Sequence, residues 1–202
     1  MSPFATNATG THRADDVEED TVDREPQHLV VMGVAGSGKT TVATLLAARL
    51  GWRFAEADEF HPQANIDKMS AGIPLTDDDR RPWLEAMRDW LTSQADAGRS
   101  TVVTCSALKR AYRDVLRGAA GRVRFVHLAA PAAVIGDRIG HRSGHFMPVS
   151  LLPSQFETLQ PLLSTEDGVT VDAEGSPDVV ADAALAALGL AADPPTAPAP
   201  AP

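Results

Sequence analysis

Residues 33–40 read Gly-Val-Ala-Gly-Ser-Gly-Lys-Thr, and no other stretch of the chain restricts its fold so narrowly. The short apolar run Leu29-Val30-Val31-Met32 precedes them and has the composition of a buried parallel strand. A helical pattern from Lys39 to Leu50 follows, with Val42, Leu45, Leu46 and Leu50 on one face and Gly51 as its stop. Glycines at this spacing let the backbone turn tightly, so that the N–H groups of Gly33, Val34, Ala35, Gly36, Ser37 and Gly38 converge on phosphate oxygens. The start of the helix adds the positive end of its dipole. In that setting the Lys39 ammonium meets the β and γ phosphates, the Thr40 hydroxyl ligates Mg²⁺, and Thr41 counts among the nucleotide-binding residues. Strand, loop and helix together predict a P-loop NTPase fold with ATP and Mg²⁺ as cofactors.

The rest of the pattern is consistent with that beginning. Further strands are expected at Trp52–Ala57, Thr101–Cys105, Val123–Leu128 and Val169–Val171, with helical stretches between them. Such alternation predicts an α/β domain with a five-stranded parallel sheet flanked by helices. Residues 58–99 read as inserted helices interrupted near Gly72 and Pro74. In them Trp83, Met87, Trp90 and Leu91 recur at the spacing of a core stripe, with a dimer interface as the other reading. Between Ile139 and Leu152 the chain turns polar and glycine-rich around Gly140-His141-Arg142-Ser143-Gly144-His145, which predicts a lid over residues 139–152.

Residues 1–26 carry seven acids against two arginines, and residues 191–202 are mostly alanine and proline. Both are expected to be disordered tails around a domain spanning residues 27–190. The acidic tail contributes −5 and Asp193 another −1, leaving −3 of the formal −9 on the domain, with no basic excess to neutralise a nucleic-acid backbone. No apolar run suits a bilayer span and no secretory leader is visible. With Cys105 as the single cysteine, the expectation is a protein of a reducing cytoplasm, with neither membrane nor nucleic acid as partner.

A phosphate loop alone does not separate a kinase from a switch or a motor. Glu56 and Asp58 stand at i and i+2 where the second strand is expected to end, and this spacing sets both carboxylates on one face at the edge where ligands of open α/β sheets bind. One can hold a metal-bound water while the other takes an acceptor hydroxyl. Cys105 and Ser106, rather than an aspartate, end the third strand, which argues against motors and helicases and moves the metal-organising task to Glu56. Asp77, Asp78 and Asp79 read as a helix start, where carboxylates meet the dipole favourably.

Several separate runs then resemble the small gluconokinases, in that family's order. They are Asp58-Glu59-Phe60-His61-Pro62, then Asn65, Lys68 and Met69, then Pro74 to Arg80, Cys105-Ser106-Ala107-Leu108-Lys109, Gly144-His145-Phe146, and Gln155 to Gln160. The resemblance covers roughly residues 28–189. It implies ATP-dependent phosphorylation of D-gluconate at the 6-hydroxyl, on a fold similar to shikimate and nucleoside monophosphate kinases, often as a homodimer. It also implies that Asp58 faces the acceptor hydroxyl and Glu56 the metal water, with a longer side chain than the aspartate common at that position in the family. Gluconate brings one carboxylate and a row of hydroxyls. Lys68, Arg80 and Lys109 offer cations for it, and His61, Asn65 and Ser106 offer hydrogen bonds. Arg80 could instead cap the acids of its helix, and Lys109 could be a solvated residue at a helix start. Arg138 and Arg142 stand where similar kinases place arginines over the triphosphate, and Arg138 is preferred. His141 and His145 lack the cysteines or carboxylates of a metal site and are read as lid contacts. The alternatives are a kinase for another small hydroxy acid or nucleotide, or a non-catalytic nucleotide-dependent module that binds a partner through the acidic tail.

The composition of the tails carries a prediction. A chain trimmed to residues 27–190 should keep the turnover and melting temperature of the full chain, because segments that bury little add little. Loss of either in a coupled assay or a thermal melt would show that a tail docks on the domain.

Overall fold

Strand β1 spans Gln27–Met32, β2 Arg53–Ala55, β3 Thr101–Thr104, β4 Arg122–Ala129 and β5 Gly168–Asp172. They lie in the order β2-β3-β1-β4-β5 with every neighbouring pair parallel. The coordinates are a computed structural model, and it describes residues 25–140 and 152–191. Arg142, His141 and His145, most of the expected lid and nearly all of both tails lie outside the described residues. The lid's two ends are helical. Ile139 is buried in helix α5 (Ala132–Gly140) and Leu152 opens helix α6 (Leu152–Thr158).

The remaining helices are α1 (Lys39–Leu50), α2 (Gln63–Ser70), α3 (Asp77–Asp96), α4 (Arg110–Leu116) and α7 (Pro177–Leu188). Period-two alternation along β1 sends its side chains to two cores. Leu29 and Val31 join Leu46 of α1 and Ala184 of α7 on one face. Val30 and Met32 join Trp83, Met87 and Leu91 of α3 on the other. The α3 stripe is therefore core, with Trp90 packed half-buried beside it. Helices on both faces give the three-layer α/β architecture expected from the sequence. Among the described residues no helix is long and apolar enough to cross a membrane.

The second strand is shorter than its sequence suggests. It stops at Ala55, and residues Ala57–Phe60 form one 3₁₀ turn. The reason is a change of partner, because the Ala57 N–H bonds the Thr104 side chain at 3.2 Å and Glu59 N–H closes back on the Glu56 carbonyl at 3.1 Å. Glu56 and Asp58 are therefore not a same-face strand pair, and the turn sets them on separate headings. Helix α3 begins at Asp77, as the aspartate run suggests, with Thr76 and Asp79 exchanging cap bonds at 3.2 and 2.9 Å.

One buried ion pair fastens the loops. Arg113 of α4 and Glu166 both have side chains at 0% exposure, with Nε to Oε1 at 2.6 Å and Nη2 to Oε2 at 2.9 Å. The bond from Arg113 holds the Glu166 carboxyl below its ordinary value, against the opposing effect of desolvation. Arg113→Met should cost about 3–5 kcal/mol of stability, since it leaves a buried carboxylate unpaired. Because the folded pKa of Glu166 is depressed, its contribution is complete above the ordinary 4.5 and fades as pH falls below that value. Urea midpoints measured down from neutral pH should fall in that window for the native chain and fall less for Glu166→Gln.

Candidate active site

The carboxyl ends of β1, β2 and β3 meet at one edge of the sheet. From β1 the chain enters the glycine loop, where Gly33, Gly36 and Gly38 have φ of 140°, 79° and 92°. Gly36 also has no room for a side chain, since a Cβ there would lie 2.7 Å from Ile139 Cγ1. Gly33 N–H donates to the Ser106 carbonyl at 3.3 Å, tying the loop to the exit of β3. Ala35 N–H donates to Gln155 Oε1 of α6 at 2.7 Å.

Lys39 reaches across the loop, its Nζ donating to the carbonyls of Gly33 and Val34 at 3.2 and 3.0 Å. Burial lowers the pKa of this ammonium, while the Asp58 and Glu56 carboxylates act the other way. The carboxylates that follow β2 are thus close enough to the phosphate loop for their charges to act on its lysine. Burial pushes the Cys105 thiol up to about 12, so it stays protonated beside the loop. Thr40 and Thr41 lie exposed on the first turn of α1.

Glu56 accepts a hydrogen bond at Oε2 from the Thr104 hydroxyl. Its other oxygen, Oε1, and the Ser37 hydroxyl are the side-chain atoms that are buried without a hydrogen-bond partner among the described residues. Hard oxygen donors of this kind fit Mg²⁺, so Glu56 and Ser37 join Thr40 as residues that could hold the ion or its waters.

Asp58 stands in the open, its side chain 94% exposed and 4.0 Å from His61 Nε2. His61 lies flat on Trp83 at 4.4 Å between centroids, and Trp83 Nε1 donates to the Ala57 carbonyl at 2.7 Å, so the core tryptophan supports both the turn and the histidine. Burial keeps the His61 pKa low, opposed by Asp58 and reinforced by Arg80. Buried Asn65 donates to the Asp79 carbonyl at 2.8 Å. All three candidate cations meet the aspartates at the start of α3. Lys68 pairs with Asp79 at 2.6 Å, Lys109 with Asp77 at 2.6 Å and Arg80 with Asp77 at 3.8 Å. The Tyr112 hydroxyl also donates to Asp77, at 2.5 Å. Arg80 thus does contact the acids of its own helix, and Lys109, at the N-cap position of α4 with no side-chain cap bond, is paired with Asp77 and not merely solvated.

Arg138 borders a cavity of about 480 Å³ together with Gly36, Ser37, Gly38 and Thr41. Its far wall is the β5–α7 loop, where the Glu174 carbonyl accepts from Arg138 Nη2 at 3.2 Å.

Residues 29–161 match a family described as an AAA domain. A gluconokinase of Gluconobacter oxydans is 55% identical over 156 residues, covering 77% of this chain and 88% of its own. The chain belongs to the gluconokinase family. A solved gluconokinase from Sinorhizobium meliloti is 48% identical at a TM-score of 0.73, covering 82% of this chain and 93% of its own. Shikimate kinase from Aquifex aeolicus, 20% identical with a TM-score of 0.54 over 80% of this chain and 96% of its own, shares the fold.

The sequence singles out the glycine loop, Lys39, Glu56, Asp58, His61 and Arg138, of which Glu56 and Asp58 lie within electrostatic reach of Lys39, His61 lies 4.0 Å from Asp58, and Arg138 borders the cavity beside the glycine loop. Sequence reasoning missed the β5–α7 wall of the cavity, which has no motif, and it gave no role to Gln155, Thr104 or Arg113. Gln155 was visible only as part of a family run. The loop geometry carries a prediction. Gly36→Ala combines a left-handed φ with a clash against Ile139, so ATP affinity by calorimetry should fall at least about tenfold in a folded protein.

Proposed function

We propose that the chain transfers the γ-phosphoryl group of ATP to the 6-hydroxyl of D-gluconate, giving 6-phospho-D-gluconate and ADP. The observation that carries this reading is the position of Asp58. It is an exposed carboxylate between the phosphate-loop lysine, whose charge it influences, and a shelf built from His61, Asn65 and Trp83. The named activity of the relatives supplies the acceptor's identity.

In this reading the glycine loop and Lys39 hold the β and γ phosphates, with the nucleotide extending into the cavity beside Thr41 and Arg138. Mg²⁺, when bound at Thr40 and through water at Glu56, supplies charge neutralisation between the phosphates. Asp58 accepts a hydrogen bond from the 6-hydroxyl and aims its oxygen at the γ phosphorus. As the new O–P bond forms, the bond from the γ phosphorus to the bridging oxygen breaks, the electron pair leaves with ADP, and the hydroxyl proton passes to Asp58. The transition state is loose, so positioning precedes proton transfer in importance. Arg138 offsets charge on the transferring group, a role worth roughly 10³–10⁵ in rate where it has been measured in related chemistry. Arg142 is the second arginine of this proposal.

The gluconate carboxylate competes with Asp77 and Asp79 for Lys68, Arg80 and Lys109, while Ser106, His61 and Asn65 meet hydroxyls. A homodimer in the cytoplasm belongs to the same proposal on the strength of the resemblance.

A coupled ADP-release assay across sugar acids, shikimate and nucleoside monophosphates should show turnover concentrated on D-gluconate. Faster turnover of another acid would reassign the acceptor. Asp58→Asn keeps the size but cannot take the proton, so kcat at saturating gluconate should fall by roughly 10²–10⁴ with little change in ATP affinity. A loss confined to the ATP KM would move Asp58 to the nucleotide side.

A further inference from the structure

Thr104, the last residue of β3, is 3% exposed and has no part in the reaction described so far. Its hydroxyl makes two bonds of opposite sense. It accepts from the Ala57 N–H at 3.2 Å and donates to Glu56 Oε2. A hydroxyl has one proton to give, and with a backbone N–H on its acceptor side that proton is committed to the carboxylate. The pairing of Ala55 with Val103 brings Glu56 alongside Thr104 as the two strands end.

Glutamate at a strand exit has three side-chain torsions and would otherwise spread over several rotamers. Here both ends of the residue are held, since Glu56 N–H also donates to Glu59 Oε1 at 3.4 Å. The carboxylate is divided as a result. Oε2 is satisfied by Thr104, whereas Oε1 is buried without a hydrogen-bond partner among the described residues. A carboxylate oriented in this way beside the phosphate loop presents its remaining oxygen to a cation or to water on a cation.

We propose that Thr104 is a positioning residue for the metal, whose hydroxyl turns Glu56 so that Oε1 receives a water of the Mg²⁺–nucleotide complex. The inference rests on the reading of Glu56 as the acceptor of that water. Thr104 acts only through Glu56 and touches neither nucleotide nor gluconate.

The test is direct metal binding, with Mn²⁺ as the probe. Free Mn²⁺ is counted by its electron paramagnetic resonance signal during titration of the full-length chain saturated with ADP. Thr104→Val keeps the shape and removes the hydroxyl, and it should raise the Mn²⁺ dissociation constant about tenfold or more. Thr104→Ser restores the donor and should stay within about threefold of the native value. ADP affinity without metal should be unchanged in both. In a Glu56→Gln background, Thr104→Val should weaken Mn²⁺ no further, which a merely structural threonine would not produce. If the valine variant fails to melt cooperatively, Thr104→Ala carries the same comparison. Native Mn²⁺ affinity in Thr104→Val, with weakened affinity in Glu56→Gln, overturns the role of Thr104 and leaves that of Glu56. Native affinity in Glu56→Gln overturns both.

Discussion

Arg113 lies in the interior with its donors shared between the Glu166 carboxylate and the carbonyls of Ala107, Leu108, Gln160 and Pro161. Burying a guanidinium is tolerable only when its donors are met in good geometry, so the groups around it cannot relax one at a time. They belong to two connections far apart in sequence, the β3–α4 turn and the segment between α6 and β5. Ala107 has φ of 44°, a conformation that a residue with a side chain holds only when its surroundings insist. One residue earlier, the Ser106 carbonyl receives the Gly33 N–H at the mouth of the phosphate loop. A short path of hydrogen bonds therefore runs from Glu166 through Arg113 and a strained turn to the first glycine of the nucleotide site.

The strand order explains why so much converges on one edge. With β1 between β3 and β4, the chain leaves the middle of the sheet into the glycine loop, and β2 and β3 open on the same side of it. Ligands of open α/β sheets bind at such a switch in strand order. The α3 insertion then serves two ends at once. Its Trp83 packs into the core, donates to the Ala57 carbonyl and supports His61, so the shelf proposed for the acceptor stands on the hydrophobic core.

The parts legible in the sequence are those in which local chemistry and fold agree. The glycine loop announced itself by spacing, the five strands by short apolar runs, and α3 by its capping acids and apolar stripe. Strand β2 was overextended because Ala57 reads as a strand residue until Thr104, 47 positions away, takes its N–H. The placement of Glu56 and Asp58 on one strand face fails for the same reason, although both carboxylates lie close enough to Lys39 to act on it. Arg113 gave no warning either. An arginine followed by an aspartate in a short helix looks like a solvated pair, and its true partner lies 53 residues on. Long-range polar pairing of this kind leaves no periodic trace.

The two kinds of ion pair in this domain suit opposite tasks. Arg113 and Glu166 are sealed from water, so neither can exchange its partner without stranding a charge. Lys68 with Asp79, and Lys109 with Asp77, stand partly in solvent, where such pairs contribute little net stability and can exchange. The bond from Lys68 holds the Asp79 carboxyl down at about 2, and the bond from Lys109 lowers that of Asp77, so both aspartates are charged at neutral pH. In the proposed reaction these carboxylates occupy the cations that an anionic acceptor needs, and a neutral polyol brings no charge with which to displace them. A sugar acid can exchange carboxylate for carboxylate at nearly constant charge, which biases this wall of the site towards acidic acceptors before any hydroxyl is read.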